Sequence, residues 1–202
     1  GQPFKATDNT SSTSNFTGDP SNPVTDEDEI RGIMKGRLFP YLENPDIYHC
    51  PADKLRKGPD NTRLYLSYAV PLCMYGFNNP ADSWYNYQIR KYEKITSPGN
   101  RFMLVESGER SRGNWIYGGY FIMATPEYEF SEYGLWEPLA ISHGNSAVFG
   151  FADGHAETHK WHDSFILDHY WKTEGQPPGT LYNQTFAPPG GSEDLDWLVR
   201  GW

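Results

Sequence analysis

Residues 141–161 read ISHGNSAVFGFADGHAETHKW, with Ala147, Phe149 and Phe151 alternating with Val148, Gly150 and Ala152. A period of two in strand-forming residues predicts a β-strand. The run ends at Asp153-Gly154, the pair favoured in a two-residue type I′ turn, so a second strand is expected to return through His155 to Trp161. With that loop Ala152 faces His155, Phe151 faces Ala156 and Phe149 faces Thr158, which puts both Phe rings on one face opposite small partners. That face is expected to meet the core.

Elsewhere the apolar spacing is helical or broken. Thr25-Asp26-Glu27-Asp28 has the form of a capping box, and Ile30, Ile33, Met34, Leu38, Tyr41 and Leu42 follow at steps of three and four, predicting a helix that Pro40 kinks and Asn44-Pro45 ends. Residues 26–29 are four consecutive acidic residues, but on a helix they point around the axis rather than into one calcium site, so capping is the reading. Residues 64–74 form a strand-like aromatic run interrupted by Pro71, which suggests an edge or irregular segment. Residues 101–107 predict a strand buried on both faces, and 115–123 another, with Gly118-Gly119 as a bulge. Residues 77–86 and 124–140 read as loops. Phe165, Ile166, His169 and Tyr170 predict a short helix over 162–172. Ser192 is placed to cap a last helix over 193–200 that packs Leu195, Leu198 and Val199 and ends at Gly201.

Composition narrows the class. In 202 residues there is room for one domain with a real core, and residues 1–24, rich in Ser, Thr, Asn, Asp, Gly and Pro, lack the apolar surface to offset their ordering entropy. The organisation expected is a flexible arm over 1–24, an α+β domain over 25–161 and an extension over 162–202 packed on it. Charged residues make up 21% and aromatics 16%, a balance that favours ring packing and loops over long charged helices. A net charge of -9, with no basic run among the aromatics, argues against nucleic-acid binding. No stretch has the eighteen or so consecutive apolar residues needed to span a bilayer. The two cysteines, Cys50 and Cys73, either close a disulfide or remain as buried thiols.

His143, nine intervening residues and then Asp153-Gly154 resemble the signature of the prepilin-type processing-associated H-X9-DG domain, carried by bacterial pseudopilin-like proteins. Further blocks occur upstream in the family's order. Leu38-Phe39-Pro40-Tyr41-Leu42-Glu43-Asn44-Pro45 comes first, then Tyr48-His49-Cys50-Pro51-Ala52-Asp53, then Ser67-Tyr68, and then Ile95-Thr96-Ser97-Pro98 leading to Phe102-Met103-Leu104-Val105-Glu106-Ser107. They span roughly residues 38–160, and several weak blocks in order are more specific than any one. Ala52 stands where the family has Ser, and Glu106 where it has Asp. The resemblance implies a pilin-like α+β fold, with an N-terminal helix on an antiparallel sheet. It also implies a non-enzymatic subunit of a type II secretion or type IV pilus-like machine, whose partners are other pseudopilin or machine subunits. On that reading the residues given are a soluble periplasmic ectodomain, Gly1 is left from a tag, and membrane attachment runs through an apolar N-terminal helix outside this sequence.

Metal and carbohydrate chemistry compete with that reading. His143, Asp153, His155, His159 and His162 are metal-ligand types, yet ten residues of extended chain at about 3.3 Å each separate His143 from Asp153. Neighbours four apart on a strand are likewise too distant to share an ion. Asp153 and Gly154 then have a sufficient role in the turn, His143 in ordering the Gly144-Asn145 turn, and no catalytic group or metal is expected. Calcium remains an option at the acidic stretch Glu193, Asp194 and Asp196, where a helix start is the competing reading. The rival function is an exported carbohydrate-binding or carbohydrate-active protein, with Glu106, Asp153 and Glu157 as candidate carboxylates.

Overall fold

A computed structural model describes residues 30–31, 33–36, 38–53, 67–74, 88–108, 120–121, 123–124, 134–135, 138–174 and 185–201. The arm over 1–24, the capping box at Thr25, the loop over 77–86 and the Gly118-Gly119 bulge lie outside them. The strands are β1 (Tyr68–Pro71), β2 (Phe102–Glu106), β3 (Tyr120–Phe121), β4 (Met123–Ala124), β5 (Gly134–Leu135), β6 (Ser146–Phe151), β7 (Ala156–Lys160) and β8 (Thr185–Phe186). A single helical turn α1 (Phe39–Leu42) and helices α2 (Ser164–Glu174) and α3 (Glu193–Gly201) complete the order, with short 3-10 turns between.

The main sheet runs β3-β1-β2-β6-β7, and β4-β5-β8 form a small second sheet. Its four longer strands pair antiparallel, while β3 joins β1 in parallel. The domain is therefore mixed helix and sheet around a four-strand antiparallel core, in line with the α+β expectation. Ala69 of β1, Val105 of β2 and Ala147 and Phe149 of β6 supply the buried face.

The central hairpin forms where alternation placed it, but its register is one residue off. Phe149 pairs with Glu157 and Gly150 with Ala156, and Gly154 N donates to the Phe151 carbonyl at 3.0 Å. The loop is therefore three residues, Ala152-Asp153-Gly154, rather than a type I′ pair. Only Gly154 takes a positive φ, +96°, as in a type I turn closed by a glycine bulge, and the Asp-Gly pair serves that loop equally well. Both Phe rings stay on the core face, because the slip moves the partner strand and not β6 itself.

Helix α3 covers that face. Trp197 packs against Phe102 and Phe149 at centroid distances of 5.1 and 4.8 Å, and Leu195 and Leu198 are buried beneath it. Ser192 caps the helix as predicted, its Oγ accepting from Leu195 N at 3.0 Å. Gly201 does not end the helix. It is the last helical residue, at a point where a Cβ would stand 2.1 Å from Phe102 Cζ, so the glycine permits the helix to touch the ring.

Several finer expectations are corrected. The stripe from Ile30 to Leu42 is not one continuous face: 30–31 and 33–34 are helical and Ile33 is buried, but the helix is interrupted at 35–36 and α1 leaves Tyr41 84% exposed. Strand β2 is not buried on both faces, since Leu104 is exposed. The run over 115–123 is split between β3 and β4, which belong to different sheets, and the loop over 124–140 contains β5. Pro71 does end β1, though β1 is not an edge strand, because β3 lies outside it.

Candidate functional site

Residues from four separate segments meet at the C-terminal end of β2. Tyr68 and Glu106 are register partners on β1 and β2, so they project from the same face, opposite the one that carries Ala69 and Val105. Glu106 is 1% exposed. One of its oxygens, Oε2, accepts from Val148 N at 3.0 Å, which fixes the carboxylate.

Ser67 draws the 48–53 turn onto this corner. Its amide donates to the Tyr48 carbonyl at 3.0 Å, its carbonyl accepts from Ser107 N at 2.9 Å, and its Oγ accepts from Cys50 N at 3.0 Å. The same hydroxyl donates to Asp53 Oδ2 at 3.2 Å, with His49 Nδ1 3.1 Å away. Cys50 is thereby held with its side chain beside Glu106 and Tyr68.

His143 arrives from the other side. An antiparallel bridge between Ser107 and Leu139, with Ala140 N donating to the Glu106 carbonyl at 3.0 Å, lays residues 138–141 along the end of β2. The turn that follows uses positive φ at Gly144 and Asn145 to reverse into β6. His143 Nε2 then lies 3.4 Å from Cys50 Sγ and 3.2 Å from Glu106 Oε1. So His143 does precede its turn as expected, but its side chain has partners that no local reading contained.

Electrostatically the corner is short of positive charge. Burial pushes the Cys50 thiol up, and a hydrogen-bonding contact with Glu106 and the charge on that carboxylate push the same way. Tyr68 is raised to about 12 by burial first, then by Cys50 and Glu106. Oε1 of Glu106 is fully buried and has His143 Nε2 at 3.2 Å, without the alignment of a directed hydrogen bond.

A cysteine, a histidine and a carboxylate invite comparison with a nucleophilic triad. In such a relay the nucleophile and the acid occupy opposite nitrogens of the imidazole. Here both approach Nε2, and a reactive cysteine needs an electropositive, accessible setting that Cys50, 3% exposed beside a carboxylate, does not have. The arrangement suits three donors converging on one point better than proton relay. Among the described residues, Cys50, Glu106 and His143 form the one group of three such donors mutually within 4.8 Å.

The other candidates are dispersed. His143 and Asp153 sit beyond opposite ends of β6, as expected. Asp153 Oδ1 accepts from His155 N at 3.1 Å and from His155 Nδ1 at 2.6 Å, a local turn arrangement. His159 Nε2 donates to buried Asp194 Oδ1 at 2.8 Å, while Asp194 Oδ2 accepts from His162 N and Asp163 N at 2.7 and 3.0 Å. The acidic stretch is thus the first turn of α3, and the Asp194 oxygens are committed to N–H donors rather than turned to a calcium ion. Cys50 and Cys73 are both buried thiols, not a disulfide: Cys50 turns its sulfur to His143, and Cys73 joins the core. Pro51 follows Cys50 into the turn. Glu106 and Asp153 do not face each other, because Phe102 pairs with Phe151 and so places the hairpin loop at the start of β2, with Glu106 at its end. Glu157 lines a separate cleft of about 270 Å³ with Asn100, Phe102, Trp197 and Arg200.

Sequence reasoning missed the convergence, although one signal pointed to it. Glu106 closes an apolar strand run, Met-Leu-Val-Glu, and a carboxylate in that position requires a partner from elsewhere in the chain.

Comparison with protein-family models, curated proteins and solved structures finds no match to this chain. What the fold and the corner define is a class, an α+β domain whose loops are tied to its sheet through a partly buried Cys-Glu-His cluster.

Proposed function

We propose that the chain is the non-enzymatic ectodomain of a pseudopilin-like subunit, acting by assembly in a type II secretion or type IV pilus-like machine. The supporting observation is the convergence just described. Cys50, Ser67-Tyr68, Glu106-Ser107 and His143 belong to four of the sequence blocks that resemble the H-X9-DG family, and they lie together in one corner. Their meeting supports reading the blocks as parts of one unit. In this reading the motif is a structural knot, and function lies in the surface and in an apolar N-terminal helix that carries the subunit into the assembly.

The carbohydrate reading is disfavoured by where the rings are. Phe102, Phe149, Phe151 and Trp197 pack on one another, and His159 stacks on Trp197 at 3.8 Å, so the rings are engaged chiefly with each other, and only their edges border the cleft that holds Glu157. Light scattering on this domain and on the full-length protein, with a polysaccharide and ester hydrolysis screen on both, tests the proposal. A monomeric, inactive domain and an assembling full-length protein are expected. Turnover abolished by Glu106→Gln or Asp153→Asn would overturn it, as would a tight symmetric dimer of the isolated domain.

A further inference from the structure

We propose that Cys50, Glu106 and His143 form a zinc site that pins the 48–53 turn and the 142–144 turn to the end of β2. A tetrahedral zinc with Zn–S of about 2.3 Å and Zn–N and Zn–O of about 2.0 Å holds its sulfur and nitrogen about 3.5 Å apart and its nitrogen and oxygen about 3.3 Å apart. The corresponding separations here are 3.4 Å from Cys50 Sγ to His143 Nε2 and 3.2 Å from His143 Nε2 to Glu106 Oε1. Two of the three separations thus match ligand-to-ligand spacing, and the third, between Cys50 and Glu106, is within 4.8 Å.

The Glu106 carboxylate favours a cation over a neutral cluster. Oε1 of Glu106, buried with the rest of that side chain, lies 3.2 Å from His143 Nε2 without a directed hydrogen bond, while Oε2 is held by Val148 N. That division is what a monodentate ligand needs, one oxygen oriented by the protein and one left for the metal.

The donor types select the ion. Thiolate and imidazole suit zinc and related borderline metals, whereas calcium and magnesium require oxygen shells. The side chain of His143 is 33% exposed, so an ion can enter beside it and take water as a fourth ligand. Binding releases the thiol proton to solvent. The expectation of no metal, drawn from the sequence, considered His143 only with neighbours along its own strand, and the fold supplies the other two ligands from 93 and 37 residues away.

The test uses the chelator-treated domain, with zinc and with cobalt(II) as a spectroscopic stand-in. One equivalent of cobalt is expected, with tetrahedral visible bands and a thiolate-to-cobalt charge-transfer band in the near ultraviolet. Cys50→Ser should abolish the charge-transfer band. His143→Ala should weaken zinc at least about tenfold, the lower bound seen even for outer-shell partners. Because His143 is partly exposed, that variant should stay folded, which circular dichroism verifies and which keeps the test valid if Cys50→Ser does not fold. His162→Ala, at a surface position, should bind as the parent does. Absence of stoichiometric binding, cobalt bound without a thiolate band, or equal affinity in His143→Ala would overturn the proposal.

Discussion

His143 Nε2 lies 3.4 Å from Cys50 Sγ although 93 residues separate them, and Glu106 Oε1 lies within 3.2 Å of the same nitrogen. Three chain segments are joined there without a disulfide. In the metal-free protein, Glu106→Ala should destabilise by about 1–3 kcal/mol, since Val148 N loses its acceptor inside the protein. His143→Ala should cost less than about 1 kcal/mol, because its contacts are partly exposed. Urea unfolding of the two variants checks the order, and equal effects would contradict the geometry.

Gly154→Val should destabilise more than Asp153→Ala. A φ of +96° opposes a β-branched residue by about 1–2 kcal/mol or more, whereas Asp153→Ala removes only the local bonds from His155. Thermal melts of both variants decide it; unchanged midpoints would show that this turn is not the structural role of Asp153-Gly154.

The Asp153 carboxyl is held below its ordinary value, chiefly by the hydrogen bond from the His155 side chain and then by the His155 backbone N–H. A depressed folded pKa means that this carboxylate adds stability above its unfolded pKa and loses it as pH falls through the folded value. The stability gap between the parent and Asp153→Asn should therefore shrink as pH is lowered below about 4. Melts at neutral and acid pH measure it, and a gap that widens in acid would contradict the His155 contact.

Gly201→Ala should lower stability by about 1–3 kcal/mol even though alanine is the better helix former. The new methyl would meet Phe102, whose ring packs against Phe149, Phe151 and Trp197 and would have to shift to make room. Denaturant midpoints check this. A gain in stability would mean that the end of α3 does not press on that ring.

What was legible in the sequence was mostly local. The alternation through Phe149 and Phe151 marked β6 and its buried face, Ser192 marked the cap of α3, and Phe165 to Tyr170 marked α2, because each depends on neighbours within a few residues. The loop length at Asp153-Gly154 was not legible, since the same pair fits a two-residue turn and a three-residue bulged one, and β7 has no buried run to fix its register. The cover on the aromatic face was also hidden: Trp197 reaches Phe149 from a segment without resemblance to the family blocks. The Cys50, Glu106 and His143 corner is wholly long-range, so its members were visible one by one and their contact was not.

The pseudopilin reading is tested most directly by the N-terminal sequence and intact mass of the mature full-length protein, isolated from its native membrane. The account predicts removal of a short basic leader after a glycine, an apolar helix of about twenty residues retained at the new N-terminus, and membrane association through it. A mature protein released without such a helix, after cleavage of an ordinary secretory signal, would contradict it.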